Sequence, residues 1–239
     1  MRMIILAAGY ATRLYPLTEN FPKPLLDVKG KTILDHMLTD MDTNRMDEII
    51  VVSNHKFYKH FQDWKSHSPW KDKMTIIDDG STENDNRLGA VKDILFAIND
   101  RKLDDDVLVA AGDNLLDFSL DCFIDYFEQK NTTVVMRHRE DDIAKLQRTG
   151  VALIDDEDEV VEMEEKPHIP KSNWAVPPFY IFRKQDLNLF ALGLQDGCAY
   201  DAPGDFIAWL CRRTKVHAML MPGGRYDIGT LESYERIKL

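Results

Sequence analysis

The apolar run Met3-Ile4-Ile5-Leu6 leads directly into Ala7-Ala8-Gly9-Tyr10-Ala11-Thr12-Arg13-Leu14. Small side chains let a backbone approach a ligand closely and expose its amide N–H groups, an arrangement suited to phosphate oxygens. Any tight strand-to-helix turn also favours small residues, so the arginine just beyond the turn carries much of the phosphate reading. A second cation follows in Phe21-Pro22-Lys23-Pro24-Leu25-Leu26, where a proline fixes the backbone on each side of Lys23. The turn is not a Walker A loop, since no Gly-Lys-Ser or Gly-Lys-Thr follows. It is not a dinucleotide fingerprint either, because Ala11 and Leu14 hold the second and third glycine places.

Two isolated carboxylates complete the set. Asp113 lies in Ala110-Ala111-Gly112-Asp113-Asn114, just after an apolar strand, and the carboxyl end of a sheet strand is where polar side chains meet ligands. An aspartate there suits Mg²⁺, although an aspartate after glycine also serves as a turn or capping residue. Asp227, in Tyr226-Asp227-Ile228-Gly229-Thr230, stands between a strand and the last helix. Together they could hold one Mg²⁺, which takes one or two carboxylates plus phosphate oxygens and water. Glu164-Glu165-Lys166-Pro167 offers adjacent opposite charges that, in a cleft, would bind a hydroxyl and a phosphate of one small molecule, and otherwise form surface charge. The histidines show no His-Glu-x-x-His spacing and no serine sits in a Gly-x-Ser-x-Gly elbow, so zinc and serine hydrolase chemistry lack their residues.

The elements needed to position these groups are visible as short β-branched runs at 3–6, 49–52, 74–77, 107–110 and 133–136, alternating with helix-length segments near 31–43, 56–66, 88–99 and 119–130. Such alternation implies a parallel or mixed sheet. After about residue 148 the pattern changes to closely spaced strands at 150–154, 160–163 and 178–182, with Asp155-Asp156-Glu157-Asp158 as a solvated hairpin turn. A helix capped by Asp205 and a strand at 216–221 follow. Phe57, Phe61 and Trp64 at helical spacing, and Phe206, Trp209 and Leu210, read as core or subunit contact.

Composition bounds the partners. At 239 residues and 44% hydrophobic, the chain suits a single domain with one substantial core. No apolar run approaches the roughly 20 residues of a bilayer span, the N-terminal run is too short for a secretory signal, and the three separated cysteines suit a reduced setting, so a cytoplasmic protein is expected. A net charge of −11 argues against nucleic acid or an anionic membrane as partner. Residues 1–31 run against that trend, with Arg2, Arg13, Lys23, Lys29 and Lys31 facing only Glu19 and Asp27.

Leu6-Ala7-Ala8-Gly9-x-x-Thr12-Arg13-Leu14, Lys23-Pro24-Leu25-Leu26, Gly112-Asp113-Asn114, Glu165-Lys166-Pro167 and Asp227-Ile228-Gly229-Thr230 together resemble the sugar-1-phosphate nucleotidylyltransferases, with the nearest likeness to the glucose-1-phosphate thymidylyltransferases. The resemblance covers almost the whole chain and keeps the segments in family order. It implies a Rossmann-like three-layer α/β/α fold with a mixed, mostly parallel central sheet. It also implies one domain over 1–239, with a nucleotide-binding core at about 1–130 and 215–239 and a sugar-binding portion at about 131–214. By the same resemblance the segment Leu6, Ala7, Ala8, Gly9 and Thr12 holds the nucleotide. Arg13 grips the β- and γ-phosphates, Lys23 neutralises the α-phosphate, and Asp113 and Asp227 hold Mg²⁺. Glu165 would bind sugar hydroxyls, Lys166 the sugar phosphate and the Gly150 backbone part of the sugar, with Asn114 lining the cleft.

For base reading the resemblance points to a polar side chain five residues before a helix-opening glycine, here Asn84 and Gly89 where glutamine is usual, an exchange open to uracil, thymine or cytosine. The expected partners are a nucleoside triphosphate, with dTTP or UTP favoured, and a sugar 1-phosphate. A homo-oligomer stays open, because the longer C-terminal helical region of the thymidylyltransferases is lacking. Two alternatives accompany this reading: a cytidylyltransferase using a non-sugar phosphate such as phosphocholine, and a nucleotide sensor without turnover.

Overall fold

A computed structural model describes residues 1–238; the side chains of Asp227 and Lys238 lie outside the described residues. In chain order the elements are β1 (Arg2–Leu6), β2 (Asp27–Val28), β3 (Lys31–Thr32), α1 (Ile33–Thr39), β4 (Glu48–Ser53), α2 (Tyr58–His67), β5 (Met74–Asp78), α3 (Ala90–Arg101), β6 (Val107–Ala111), β7 (Asn114–Leu116) and α4 (Asp121–Lys130). There follow β8 (Thr133–Arg139), α5 (Ile143–Leu146), β9 (Gly150–Ile154), β10 (Val160–Glu165), β11 (Trp174–Val176), β12 (Phe179–Phe182), α6 (Leu189–Gln195), α7 (Pro203–Leu210), β13 (Val216–Leu220), β14 (Arg225–Asp227) and α8 (Leu231–Lys238).

The chain forms two compact units, one of Met1–Leu88, Ala111–Asp121 and Pro222–Leu239, the other of Gly89–Ala110 and Cys122–Met221. In the first, β1, β4 and β5 pair in parallel, with Met3 opposite Ile49 and Ile49 opposite Met74. β4 is buried along its whole length, as expected of a parallel strand covered on both faces. The helix expected over 31–43 runs over Ile33–Thr39, and Thr32 fixes its start: the Thr32 hydroxyl accepts from the Asp35 N–H (3.0 Å) while the Asp35 carboxylate accepts from the Thr32 N–H (3.2 Å). A small antiparallel pair, β7 with β14, sets Asp227 opposite Asn114. Leu14, Leu26, Val28, Ile33, Leu115, Ile228 and Tyr234 close a core around it, and the Tyr234 hydroxyl ties α8 to the Asp27 carbonyl (2.8 Å).

The second unit is mixed. Its strands run in the order β10-β9-β11-β8-β12-β6, each antiparallel to its neighbours in that order, and β13 adds a parallel partner to β8. α3, α4 and most of β6, read from sequence with the nucleotide core, cluster here instead. The 155–158 turn is held by the Asp155 carboxylate, which accepts from the N–H groups of Glu157 and Glu159 (both 2.9 Å). Asp205 does not begin α7, which starts at Pro203; its carboxylate reaches back to the Ala202 N–H (3.1 Å). Phe206 and Leu210 are fully buried, and Phe206 stacks on Phe190 with ring centroids 3.7 Å apart, so these residues are core.

Candidate active site

In the first unit the turn after β1 has two carbonyls, those of Ala8 and Ala11, held by neighbouring groups. The Ala8 carbonyl accepts from the Asn54 amide (2.9 Å), and the Ala11 carbonyl from the Thr18 hydroxyl (2.8 Å) and the Leu14 N–H (2.9 Å). The N–H groups of Gly9, Tyr10, Ala11, Thr12 and Arg13 meet no acceptor among the described residues. Successive unclaimed backbone donors form an anion-binding concavity. Ala7 and Ala8 are buried and Gly9, Thr12 and Arg13 exposed, and among the described residues Arg13 makes no ion pair. Gly9 lies outside the left-handed region and has nothing within 4 Å of where a Cβ would stand, so neither backbone strain nor packing demands glycine. Gly112, in contrast, is pressed by Ile5, Leu34 and the Leu6 carbonyl at 3.0–3.2 Å, which is a packing reason for glycine.

Lys23 is 6% exposed, and its ammonium donates to Asp113 Oδ2 at 2.7 Å. The framing prolines do what the sequence suggested: Pro22 is extended and Pro24 lies in a short 3-10 turn over Lys23–Leu25, which fixes where the lysine leaves the backbone. Asp113 keeps 39% of its side chain exposed, so the carboxylate is anchored yet open on one side. Asp227 enters through the backbone register alone, opposite Asn114; its side chain is outside the described residues. Asn114, expected to line the sugar-phosphate cleft, is 1% exposed. Its Nδ2 donates to Asp113 Oδ1 (2.7 Å) and to the Ala111 carbonyl (3.5 Å), and its Oδ1 accepts from the Arg225 guanidinium (2.7 Å).

Asn84 begins a 3-10 turn over Asn84–Asn86 and is half-buried; its carbonyl accepts from Arg87, while its side-chain amide has no partner among the described residues. Gly89 precedes α3 at φ +89°, and a Cβ there would lie 2.6 Å from the Tyr200 carbonyl oxygen. The first N–H groups of α3 are already engaged, Ala90 with the Asp201 carbonyl (3.2 Å) and Val91 with that of Tyr200 (3.0 Å).

In the second unit, Glu165 ends β10 opposite Gly150, the first residue of β9. A Cβ at Gly150 would stand 3.1 Å from Glu165 Oε2 and clash with Met163, and a Cβ at Gly204 would lie well inside contact distance of the same oxygen and 2.9 Å from Met163. Two glycines thus make the slot in which the carboxyl sits. Among the described residues no donor meets it. Burial pushes its pKa from the ordinary 4.5 to about 7; the Lys166 charge opposes the rise, and those of Asp205 and Asp201 add to it. A partly buried carboxyl with no donor and a displaced pKa is a binding-site signature. Lys166 beside it is exposed at φ +48°, with its N–H on the Thr149 carbonyl (3.0 Å). Sequence reasoning passes over Asn54, Gly204 and Arg225; the single sequence signal for Asn54 is its place at the carboxyl end of β4.

The family model for nucleotidyl transferases matches residues 2–239. The chain is 30% identical over 229 residues to a bifunctional protein GlmU of Methanocaldococcus jannaschii, covering 96% of this chain and 51% of that protein. It is 28% identical over 233 residues to UTP--glucose-1-phosphate uridylyltransferase AglF of Haloferax volcanii, covering 96% and 91%. The chain therefore spans about half the length of the first of these relatives. A solved UDP-glucose pyrophosphorylase complexed with UDP-glucose shares the fold at a TM-score of 0.83 and 18% identity, over 99% of this chain and 96% of that one. No helix of the described residues is long and apolar enough to cross a membrane. With a family model matched along nearly its entire length, the chain belongs to the nucleotidyl transferase family.

Proposed function

We propose that the chain transfers a nucleoside monophosphate from a nucleoside triphosphate to a sugar 1-phosphate and releases pyrophosphate. The observation that carries the reading is the turn whose N–H groups meet no acceptor among the described residues and which leads to the exposed Arg13, without an ion pair among those residues, in the same unit as the Lys23–Asp113 pair. A sugar-phosphate oxygen forms a new bond to the α-phosphorus as the bond to the α,β-bridging oxygen breaks, and the electron pair leaves with pyrophosphate. The attacking phosphate is already anionic, so no protein nucleophile is required, and positioning and charge neutralisation supply the catalysis. The free N–H groups and Arg13 bind the β- and γ-phosphates, Lys23 offsets charge at the α-phosphate, and Glu165 and Lys166 bind the sugar phosphate. Asp113 and Asp227 fit Mg²⁺, since one or two carboxylates with phosphate oxygens and water make up its usual shell, and the ion would neutralise phosphate charge.

dTTP and UTP are the favoured nucleotides, with the Asn84 amide, which has no partner among the described residues, as the reader of the base edge. The uridylyl- and glucose-1-phosphate wording of the Haloferax volcanii relative supports UTP and a hexose 1-phosphate. Phosphocholine gains no specific support. The test is pyrophosphate release with Mg²⁺ across dTTP, UTP, CTP, ATP and GTP against hexose 1-phosphates and phosphocholine. One productive sugar pair is expected; turnover with phosphocholine alone would replace the acceptor, and silence in every well would overturn the activity.

A further inference from the structure

Asp113 is gripped at both oxygens. Lys23 donates to Oδ2, and Asn114 Nδ2 donates to Oδ1, each at 2.7 Å. A side-chain amide has nearly the same shape whichever way it faces, so its neighbours decide which end points where. Asn114 is buried, and the group at its other end is the guanidinium of Arg225, at 2.7 Å. A guanidinium has only donors, so it holds the amide oxygen and leaves the NH₂ for the carboxylate. Flipping the amide would set donor against donor at Arg225 and acceptor against acceptor at Asp113.

We propose that Arg225, acting through Asn114, is a positioning residue for the divalent-cation site at Asp113. The antiparallel pairing of β14 with β7 makes this possible, because it brings Arg225 opposite Leu116 and Asp227 opposite Asn114. The strand that carries the second carboxylate thereby orients the first. Groups that hydrogen-bond a ligating carboxylate fix its direction, and their loss costs about 10–100-fold in metal affinity or activity. The inference rests on the reading of Asp113 as a metal ligand.

The test is Mn²⁺ affinity, followed by the paramagnetic resonance of free Mn²⁺, for the wild-type chain, Asp113→Asn, Arg225→Met and Arg225→Lys, each checked for a cooperative melt. Arg225→Met is expected to weaken Mn²⁺ binding about tenfold, and Arg225→Lys, which keeps a donor, to restore most of it. Arg225→Ala, which likewise removes the donor, serves if the methionine variant fails to fold. Loss of binding in Asp113→Asn with unchanged affinity in Arg225→Met would overturn the positioning role and leave the metal reading intact. Equal Mn²⁺ behaviour in Asp113→Asn and wild type would overturn both.

Discussion

Gly9 and Ala11 belong to one turn yet pose opposite problems. Gly9 has room for a methyl group and no left-handed backbone, so Gly9→Ala should leave thermal stability unchanged or raise it by up to about 1 kcal/mol. The same methyl would stand where phosphate approaches, and the KM for the nucleoside triphosphate should rise about tenfold or more, which is 1.4 kcal/mol or more. Equal KM values in titrations of the two proteins would remove the phosphate role of the turn. Ala11 is held at φ +46°, which costs an L-residue about 1–2 kcal/mol. Glycine would relieve that at about 0.4–1 kcal/mol of added chain entropy when unfolded. Ala11→Gly should therefore raise the melting midpoint by about 1–3 °C, as calorimetry would show. Glu165 carries the pH dependence. Its folded pKa of about 7 exceeds the ordinary 4.5, so the folded chain holds the proton more tightly, and stability falls as pH rises through that window. Relative to Glu165→Gln, wild type should lose on the order of 3 kcal/mol between those pH values and nothing further above them. Denaturant melts at successive pH values check this, and a constant difference would contradict it.

At the scale of elements, the site depends on where strands begin and end. β9 begins at Gly150 and β10 ends at Glu165, directly opposite, while α7 presents Gly204 in its first turn. Gly204→Ala would force the carboxyl out of its slot. The KM for the sugar 1-phosphate is expected to rise at least about tenfold while that for the nucleotide stays within about twofold. Parallel increases in both would point to general damage instead. β14 shows the reverse dependence of sequence on structure. Its three residues, Arg225–Asp227, carry no alternating apolar pattern and exist as a strand because the Gly224 N–H and the Asp117 carboxylate (2.6 Å) hold their entry to β7.

At the scale of the whole molecule, the proposed substrates can be told apart by the residues proposed to bind each. Arg13→Ala should raise the nucleotide KM and Glu165→Gln the sugar-phosphate KM, whereas Asp113→Asn should lower kcat far more than either KM. Steady-state kinetics on the three variants separate these effects, and full turnover in Asp113→Asn would remove the metal site. Much of this plan could be read from the residues alone. The strands β1, β4, β5, β6 and β8 follow from apolar β-branched runs, since burial on both faces needs continuous hydrophobicity, a local property of sequence. The shape of the turn after β1 and the framing of Lys23 were legible for a similar reason: small residues and prolines act on the backbone where they stand. Pairing was not legible. That the Asn114 amide is held by Arg225, that Gly150 and Gly204 from distant segments share one carboxyl, and that α3 and most of α4 belong with the second unit are facts of contact between residues far apart in the chain. Spacing and composition limit what each segment can become, but the partners of a side chain, and with them its burial, charge state and orientation, are fixed only when the chain closes on itself.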